Sequence, residues 1–365
     1  MNDFPPLEAE IRRRIAAAGP MPVAEYMTLC LCDSEHGYYT TRDPFGARGD
    51  FITAPEVSQM FGEMIGLWMA AVWKHMGAPE NLRVIELGPG RGTMLKDALR
   101  AAKVMPNFRE AVVIHLVEIS PALEAQQQRT LEALATPMFW HPSLADVPAG
   151  PAIVLANEFF DALPIHQAVK TELGWHERQV EINSAGHLAF AIAPDPLPHF
   201  DRLLPAPLRN APDGSIFEWR ADTIALELGR RLMRDGGAAL VIDYGHAQSA
   251  VGDTLQAVGR HAYADPLSAP GSIDLTAHVD FQSLASAVEA MGPNGYGPVT
   301  QSQFLRRLGI VTRAASLKSK VADAAADIDA ALKRLISEGE AGMGALFKAA
   351  AFAPPALGVP PGFEG

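Results

Sequence analysis

The sequence predicts an α/β fold: an open, doubly wound sheet with an N-terminal helical layer before it and antiparallel and helical segments inserted into it. Three observations predict this. First, LRVIEL from Leu82, AVVIHLVE from Ala111, PAIVLANE from Pro151 and GGAALVIDYG from Gly236 are short apolar runs. Continuous hydrophobicity of that kind marks strands buried on both faces of a parallel sheet. Second, helical patterns follow the first two runs and precede the last, and strands alternating with helices connect by right-handed crossovers. Third, 365 residues with 48% hydrophobic content suit one large core with additions.

Residues 5–31 carry helical patterns broken at Gly19–Pro20 and Pro22, and His36–Asp50 is turn-rich and aromatic. Glu56–His75 reads as one long helix with Met60, Ile65, Leu67, Trp68 and Val72 available for burial. These segments form an N-terminal helical region, residues 1–80, before a core spanning 81–365. TMLKDALRAA and ISPALEAQQQRTLEAL are helices after the first and second strands, and a short strand is expected near Pro137–Trp140. The stretch after PAIVLANE is too long for one crossover. Its alternation and the Ser184–Ala185–Gly186 turn signal predict an antiparallel insertion at about 166–220, irregular over Pro194–Pro212. A helix runs from Asp222 to Arg234 before the fifth strand, and a long segment then runs to about Gly271. Residues 279–291 read as a helix, 303–340 as a wholly helical insertion, and GALFKAAAF from Gly344 as a final strand.

The formal net charge is −12. Binding to nucleic acid through phosphates needs a basic face, so nucleic acid and anionic membrane surfaces are excluded as partners. Arg12–Arg14 and Arg306–Arg307 read as solvated helix faces, and the acidic surface suits a basic region on a protein partner. Cys30 and Cys32 are too close to favour a disulfide and too few to hold a metal, so no metal is expected. Both read as buried fillers in a reducing compartment. With no signal-like apolar segment and no run of membrane-spanning length, the expected setting is cytoplasmic.

The strongest motif is Glu86-Leu87-Gly88-Pro89-Gly90-Arg91-Gly92, between a strand and a helix. Glycines allow a sharp turn and close approach to a ligand at the carboxyl end of the sheet. A dinucleotide fingerprint requires Gly-x-Gly-x-x-Gly, but here the last position of that pattern is Thr93. Glu86, two residues before Gly88, would repel a pyrophosphate and suits a cationic methionine moiety. Glu118 ends the second strand, where it can accept both hydroxyls of a ribose. Together with Gly88, Gly90 and Gly92, these acids resemble a class I (Rossmann-like) methyltransferase that uses S-adenosylmethionine. Arg91 is read as facing solvent.

Further pieces carry a closer resemblance: HGYYTTRDPFGARGDFITAPEVSQMFGEMIG, ELGPGRGTMLKDALR, LANEFFDALPI, LVIDYG, GDTLQA, PGSIDLTAHVDF and TQSQFLRRLGI. From about Tyr26 to Phe347 the chain resembles the MidA-type methyltransferase family. Mitochondrial members of that family are assembly factors for respiratory complex I. The resemblance implies methylation of a protein arginine in a complex I core subunit, in the mitochondrial matrix for eukaryotic relatives. A small-molecule methyltransferase, or a cofactor-binding assembly chaperone without essential catalysis, are the alternatives left open by the residues.

Methyl transfer to nitrogen needs alignment and an available lone pair, whereas a guanidinium is cationic at neutral pH. A carboxylate can grip and orient it. Asn157-Glu158-Phe159-Phe160-Asp161 sits at the carboxyl end of the fourth strand. Glu158 is the expected guanidinium clamp and Asp161 a second acid. Asn157 orients cofactor or target nitrogen, and Phe159 and Phe160 wall the site. Thr53 or Glu56 is expected to contact the cofactor from GDFITAPE, which folds over it. Tyr244 is a candidate pocket residue, His278 a candidate proton acceptor or structural histidine, and Tyr38–Tyr39 a packing pair.

Overall fold

A computed structural model describes residues 4–41, 53–259, 262–339 and 342–364. Gly49–Ile52 of the GDFITAPE motif, and with them the expectation that this stretch folds over the cofactor, lie outside the described residues. The central sheet contains, in chain order, β1 Leu82–Leu87, β2 Val112–Val117, β3 Met138–His141, β4 Ala152–Asn157, β5 Gly237–His246, β6 Asn294–Thr300 and β7 Phe347–Ala353. Their spatial order is β6-β7-β5-β4-β1-β2-β3. β3, β2, β1, β4 and β5 pair in parallel, and β7 is antiparallel to both β5 and β6. Strand order therefore reverses between β1 and β4, the switch point of a doubly wound sheet.

Each sheet face is covered by helices. The helix Gln59–His75 packs on one face together with Thr93–Ala101 and the C-terminal helices, burying Trp68, Ile65, Leu95 and Phe304. The first two helices approach so closely that a Cβ at Gly66 would lie 2.2 Å from Ala98 O. Glu63, with 3% of its side chain exposed, accepts Arg313 Nε at 2.7 Å and Nη2 at 2.9 Å, tying Ile310–Lys320 to this layer. Thr223–Asp235 and Phe281–Glu289 cover the other face through Leu228, Leu232, Phe281 and Val288.

A second, antiparallel sheet joins Met21–Pro22, Gly174–Ile182, Ile165–Thr171 and Ile216–Arg220, and Leu188–Pro196 pairs with Gly174–Ile182. The expected turn at Ser184–Gly186 lies between two of these strands, where Asn183 and His187 close the hairpin. The helices Pro6–Ala18 and Val23–Cys32 bury Leu7, Ile11, Met27 and Leu31 against Ile165, Val180 and Leu275. They pack against this sheet, whereas Gln59–His75 packs against the central one.

Four local readings are corrected. The helix expected over Glu56–His75 is broken: Ala54–Val57 ends at Ser58, whose φ of −165° is extended and whose hydroxyl accepts from Met60 N–H to cap Gln59–His75. The 303–340 segment is three helices, Gln301–Arg307, Ile310–Lys320 and Ala325–Ile336, the first break marked by Gly309 at φ +93°. β6 was not foreseen. Nor was a small sheet of Gln256–Gly259 and Ala262–Ala264, in the segment read as running to Gly271, with Asp274–Thr276 just after it.

Candidate active site

The carboxyl ends of β1, β2, β4 and β5 converge on a cleft of about 1260 Å³, counting its open mouth, with an adjoining lobe of about 400 Å³. This is the end of an open parallel sheet at which ligands bind. After β1 the chain turns through Gly88, Gly90 and Gly92 at φ +60°, +53° and +78°. A Cβ at Gly88 would meet Phe159 Cδ2 at 2.8 Å, so both backbone angle and close approach require glycine there. Gly88 and Gly90 line the cleft. Gly92 does not; it caps the helix Thr93–Ala101 beside Leu131.

Glu86, on β1, is 3% exposed and lines the smaller lobe. Its Oε2 has no hydrogen-bond partner among the described residues, and burial pushes its carboxyl up to about 8. A buried carboxyl facing a void is suited to a cation that completes it. Glu118 follows β2. Its Oε1 accepts the N–H groups of Ile119 and Ser120 at 2.9 and 2.8 Å, and its Oε2 accepts Gln127 Nε2 at 2.9 Å. Burial raises its carboxyl against the pull of these donors. Gln127 Nε2 also donates to Gly90 O at 2.8 Å, locking the acid to the glycine turn.

Glu158 follows β4 at φ +50°, a strained value for a residue with a Cβ. The turn is held from below by Asp243 on β5, whose Oδ2 accepts the N–H groups of Phe159, Phe160 and Asp161 at 3.2, 3.0 and 3.3 Å. Glu158 N–H donates to Ile242 O at 2.9 Å. The side chain lines both lobes, and its Oε1 accepts Ala54 N–H at 3.1 Å and Asn157 Nδ2 at 3.4 Å. Burial first, and then the neighbouring Asp161 charge, push the Glu158 carboxyl up to about 8. Asp161 is 6% exposed. Its Oδ2 accepts the Tyr244 hydroxyl at 2.6 Å, while Oδ1 has no partner among the described residues, and burial raises this carboxyl too.

The structure thus brings together Glu86, Gly88, Gly90, Glu118, Asn157, Glu158, Asp161, Thr53 and Tyr244. Thr53 precedes Ala54–Val57 and lines both lobes; Glu56 lines the smaller one and accepts the Thr93 hydroxyl at 3.0 Å. Phe159 walls the cleft, but Phe160 is 4% exposed in the core below it. Arg91 lines the smaller lobe, not open solvent. His278 lies instead on a separate cavity of about 730 Å³, edge-on to Tyr244 at 5.7 Å.

Other cleft residues were missed. Tyr39, read as packing, donates its hydroxyl to Asp274 Oδ2 at 3.0 Å, and both line the cleft with Thr276. Cys32, read as buried, is exposed at the same cleft, while Cys30 is buried. Asp274 opens its strand within PGSIDLTAHVDF, and Asp243, fully buried beneath the Glu158 turn, lies within LVIDYG. Gln127 had no signal beyond its helix. No group of three His, Cys, Asp or Glu suited to a metal occurs among the described residues. The carboxyls of Glu86, Glu118, Glu158, Asp161 and Asp274 instead face one cleft, which suits cationic ligands.

Comparison with known proteins accords with this geometry. Residues 64–299 match the family described as "Putative S-adenosyl-L-methionine-dependent methyltransferase". The chain is 40% identical to the protein arginine methyltransferase NDUFAF7 homolog, mitochondrial, of Drosophila melanogaster, over 83% of this chain and 74% of that one. It is 36% identical to the protein arginine methyltransferase NDUFAF7, mitochondrial, of Homo sapiens, over 87% of this chain and 77% of that one. A crystal structure from Burkholderia thailandensis bound to S-adenosyl-homocysteine matches with a TM-score of 0.84 and 31% identity, over 98% of this chain and 92% of that one. The chain therefore belongs to this family of S-adenosylmethionine-dependent methyltransferases, with the class I fold and the cofactor that its glycine turn and strand-end acids predict.

Proposed function

We propose that the chain methylates an arginine of a protein substrate. The carrying observation is the pair Glu158 and Asp161: two raised carboxyls on one strained turn, one with an unpartnered oxygen, beside the cofactor end of the cleft. Strain held in place by surrounding hydrogen bonds is a mark of functional turns.

In this reading Glu86 faces the cofactor's cationic methionine moiety, Glu118 accepts its ribose hydroxyls, and Gly88 and Gly90 admit its backbone-hugging approach. Thr53 and Asn157 complete its walls. The bound cofactor supplies an electrophilic methyl group on a sulfonium. Glu158 and Asp161 grip the target guanidinium and turn one nitrogen toward that methyl, while Tyr244 fixes Asp161 through its hydroxyl. Arginine remains cationic after methylation, so turnover releases one proton. Burial pushes the Glu158 carboxyl up to about 8 in the open site; a guanidinium bound against it favours the ionised form, which can then receive the proton from the attacking nitrogen.

The names of the relatives support a protein arginine as acceptor. The family resemblance points further, to a core subunit of respiratory complex I. A cytoplasmic setting is consistent with Cys30 and Cys32 both being free thiols. The test is mass spectrometry of the complex I core subunits from cells with and without this protein. A methylarginine that disappears with the protein supports the proposal. Unchanged subunits, with methyl transfer instead to free arginine or another small molecule, would overturn it.

A further inference from the structure

The inserted antiparallel sheet abuts the turn that carries Glu158 and Asp161, on the side of the separate cavity. Its edge strand Ile216–Arg220 closes with Arg220, whose Cα lies opposite Ile165, just beyond the Glu158–Leu163 turn. Arg220 Nε donates to Leu163 O at 3.2 Å and Nη1 to His278 O at 2.8 Å. Its Nη2 donates to Ala277 O at 2.7 Å and to Asp161 O at 3.4 Å. All three guanidinium nitrogens end on backbone carbonyls.

These carbonyls belong to two arcs of the chain, which also meet directly where Ala277 N–H donates to Asp161 O at 3.0 Å. One, 161–163, carries Asp161. The other, 277–278, directly follows Asp274 and Thr276. Asp161, Asp274 and Thr276 all line the cleft. The catalytic turn is thus held on its N–H side by the Asp243 carboxyl and on its carbonyl side by the Arg220 guanidinium. Bridging four carbonyls on two arcs uses the rigid planar fork of a guanidinium; a lysine ammonium offers a point charge with three donors and no such fork.

We infer that Arg220 is a positioning residue for the substrate: alongside the Ala277–Asp161 backbone bond it braces the Asp161 arc against the Asp274–Thr276 arc, and it makes the inserted sheet part of the catalytic assembly. This rests on the reading of Glu158 and Asp161 as the acids that hold the target guanidinium. The groups read as holding the cofactor, Glu86, Gly88 and Glu118, lie on other arcs and do not touch Arg220.

The test uses the full chain carrying Arg220→Lys or Arg220→Met. Thermal unfolding, cofactor affinity by calorimetry, and initial rates on an arginine-bearing protein substrate are measured for each. Cofactor affinity should stay within about threefold of wild type, because binding through other arcs is untouched. In Arg220→Lys, kcat/KM should fall by about 10-fold or more, and in Arg220→Met by about 100-fold, the scale of a misplacement near 1 Å. A purely structural role would lower the unfolding temperature and leave kcat/KM of the folded protein intact. Should Arg220→Met fail to fold, Arg220→Lys decides. Wild-type kcat/KM in folded Arg220→Lys, with active wild type alongside, overturns this inference alone. A wild type that methylates no arginine overturns the underlying reading, and this inference with it.

Discussion

Replacing Glu118 with alanine removes the carboxylate read as holding the cofactor ribose. Its two oxygens already accept from Ile119 N–H, Ser120 N–H and Gln127 Nε2, which fixes the group before any ligand arrives. Oε2, with Gln127 as its single donor, keeps further acceptor capacity toward the cleft that Glu118 lines. Losing hydrogen bonds to a charged acceptor costs roughly 1.5–3 kcal/mol. At about 1.4 kcal/mol per tenfold, cofactor affinity should weaken roughly 10- to 150-fold. The fold should survive. Ile119 is 52% exposed, so water can replace its lost partner, and Gln127 keeps its bond to Gly90 O. Glu118→Gln, which preserves shape and one acceptor oxygen, should lie between alanine and wild type. Calorimetric titration with S-adenosylmethionine and with S-adenosyl-homocysteine measures all three proteins. A folded alanine variant with affinity within about twofold of wild type would remove Glu118 from the cofactor site.

Two further outcomes follow from the same geometry. Gly88→Ala places a Cβ 2.8 Å from Phe159 Cδ2 at φ +60°, so the variant should lose about 1–2 kcal/mol of stability by urea denaturation. It should also bind cofactor more weakly as Phe159 shifts; unchanged stability and affinity would contradict the close-approach argument. The raised carboxyls of Glu86 and Glu158, each near 8, give a pH signature. A carboxyl raised on folding contributes stability that is fully present below the ordinary carboxylate range and is lost as pH rises through about 8. The cofactor-free protein should therefore melt at lower temperature at pH 8 than at pH 6. A cationic cofactor favours the ionised acid, so binding at pH 7 should release protons, seen as a dependence of calorimetric heat on buffer ionisation enthalpy. Binding at pH 7 without proton release would refute the pairing of Glu86 with a cation.

The parallel core was legible because strands buried on both faces are apolar throughout, and because Gly88–Gly92 and the acids around it are local in sequence. What was missed depended on distant partners or unfavourable composition. β6 contains Gly295, Gly297 and Pro298, which read as loop; the strand tolerates them at the sheet edge, where its register shifts between Tyr296 and Val299. Ser58 ends one helix and starts the next through a single capping hydroxyl, a signal easily submerged in the apolar period around it. Tyr39 and Asp274 reach the cleft, and Arg220 the backbone of the Asp161 turn, only because the antiparallel sheet and the first helices fold against the Asp274–Thr276 strand, and no local pattern announces that. Residue type alone reads Cys32 as core, yet it ends its helix exposed at the cleft.

The central claim is that Glu158 holds the substrate and not the cofactor, and Glu158→Gln tests it most directly. Glutamine keeps the volume and one oxygen to accept Ala54 N–H, now at 3.1 Å from Glu158 Oε1, but removes the negative charge and the proton-accepting group. Cofactor affinity and single-turnover methyl transfer to an arginine-bearing protein substrate are measured on the same preparation at saturating cofactor. Affinity should change little, while transfer should fall by about one to several orders of magnitude, because the lost interaction is made in the transition state. Transfer at the wild-type rate would contradict the clamp and leave Asp161 as the acid to test; loss of cofactor binding would move Glu158 into the cofactor site.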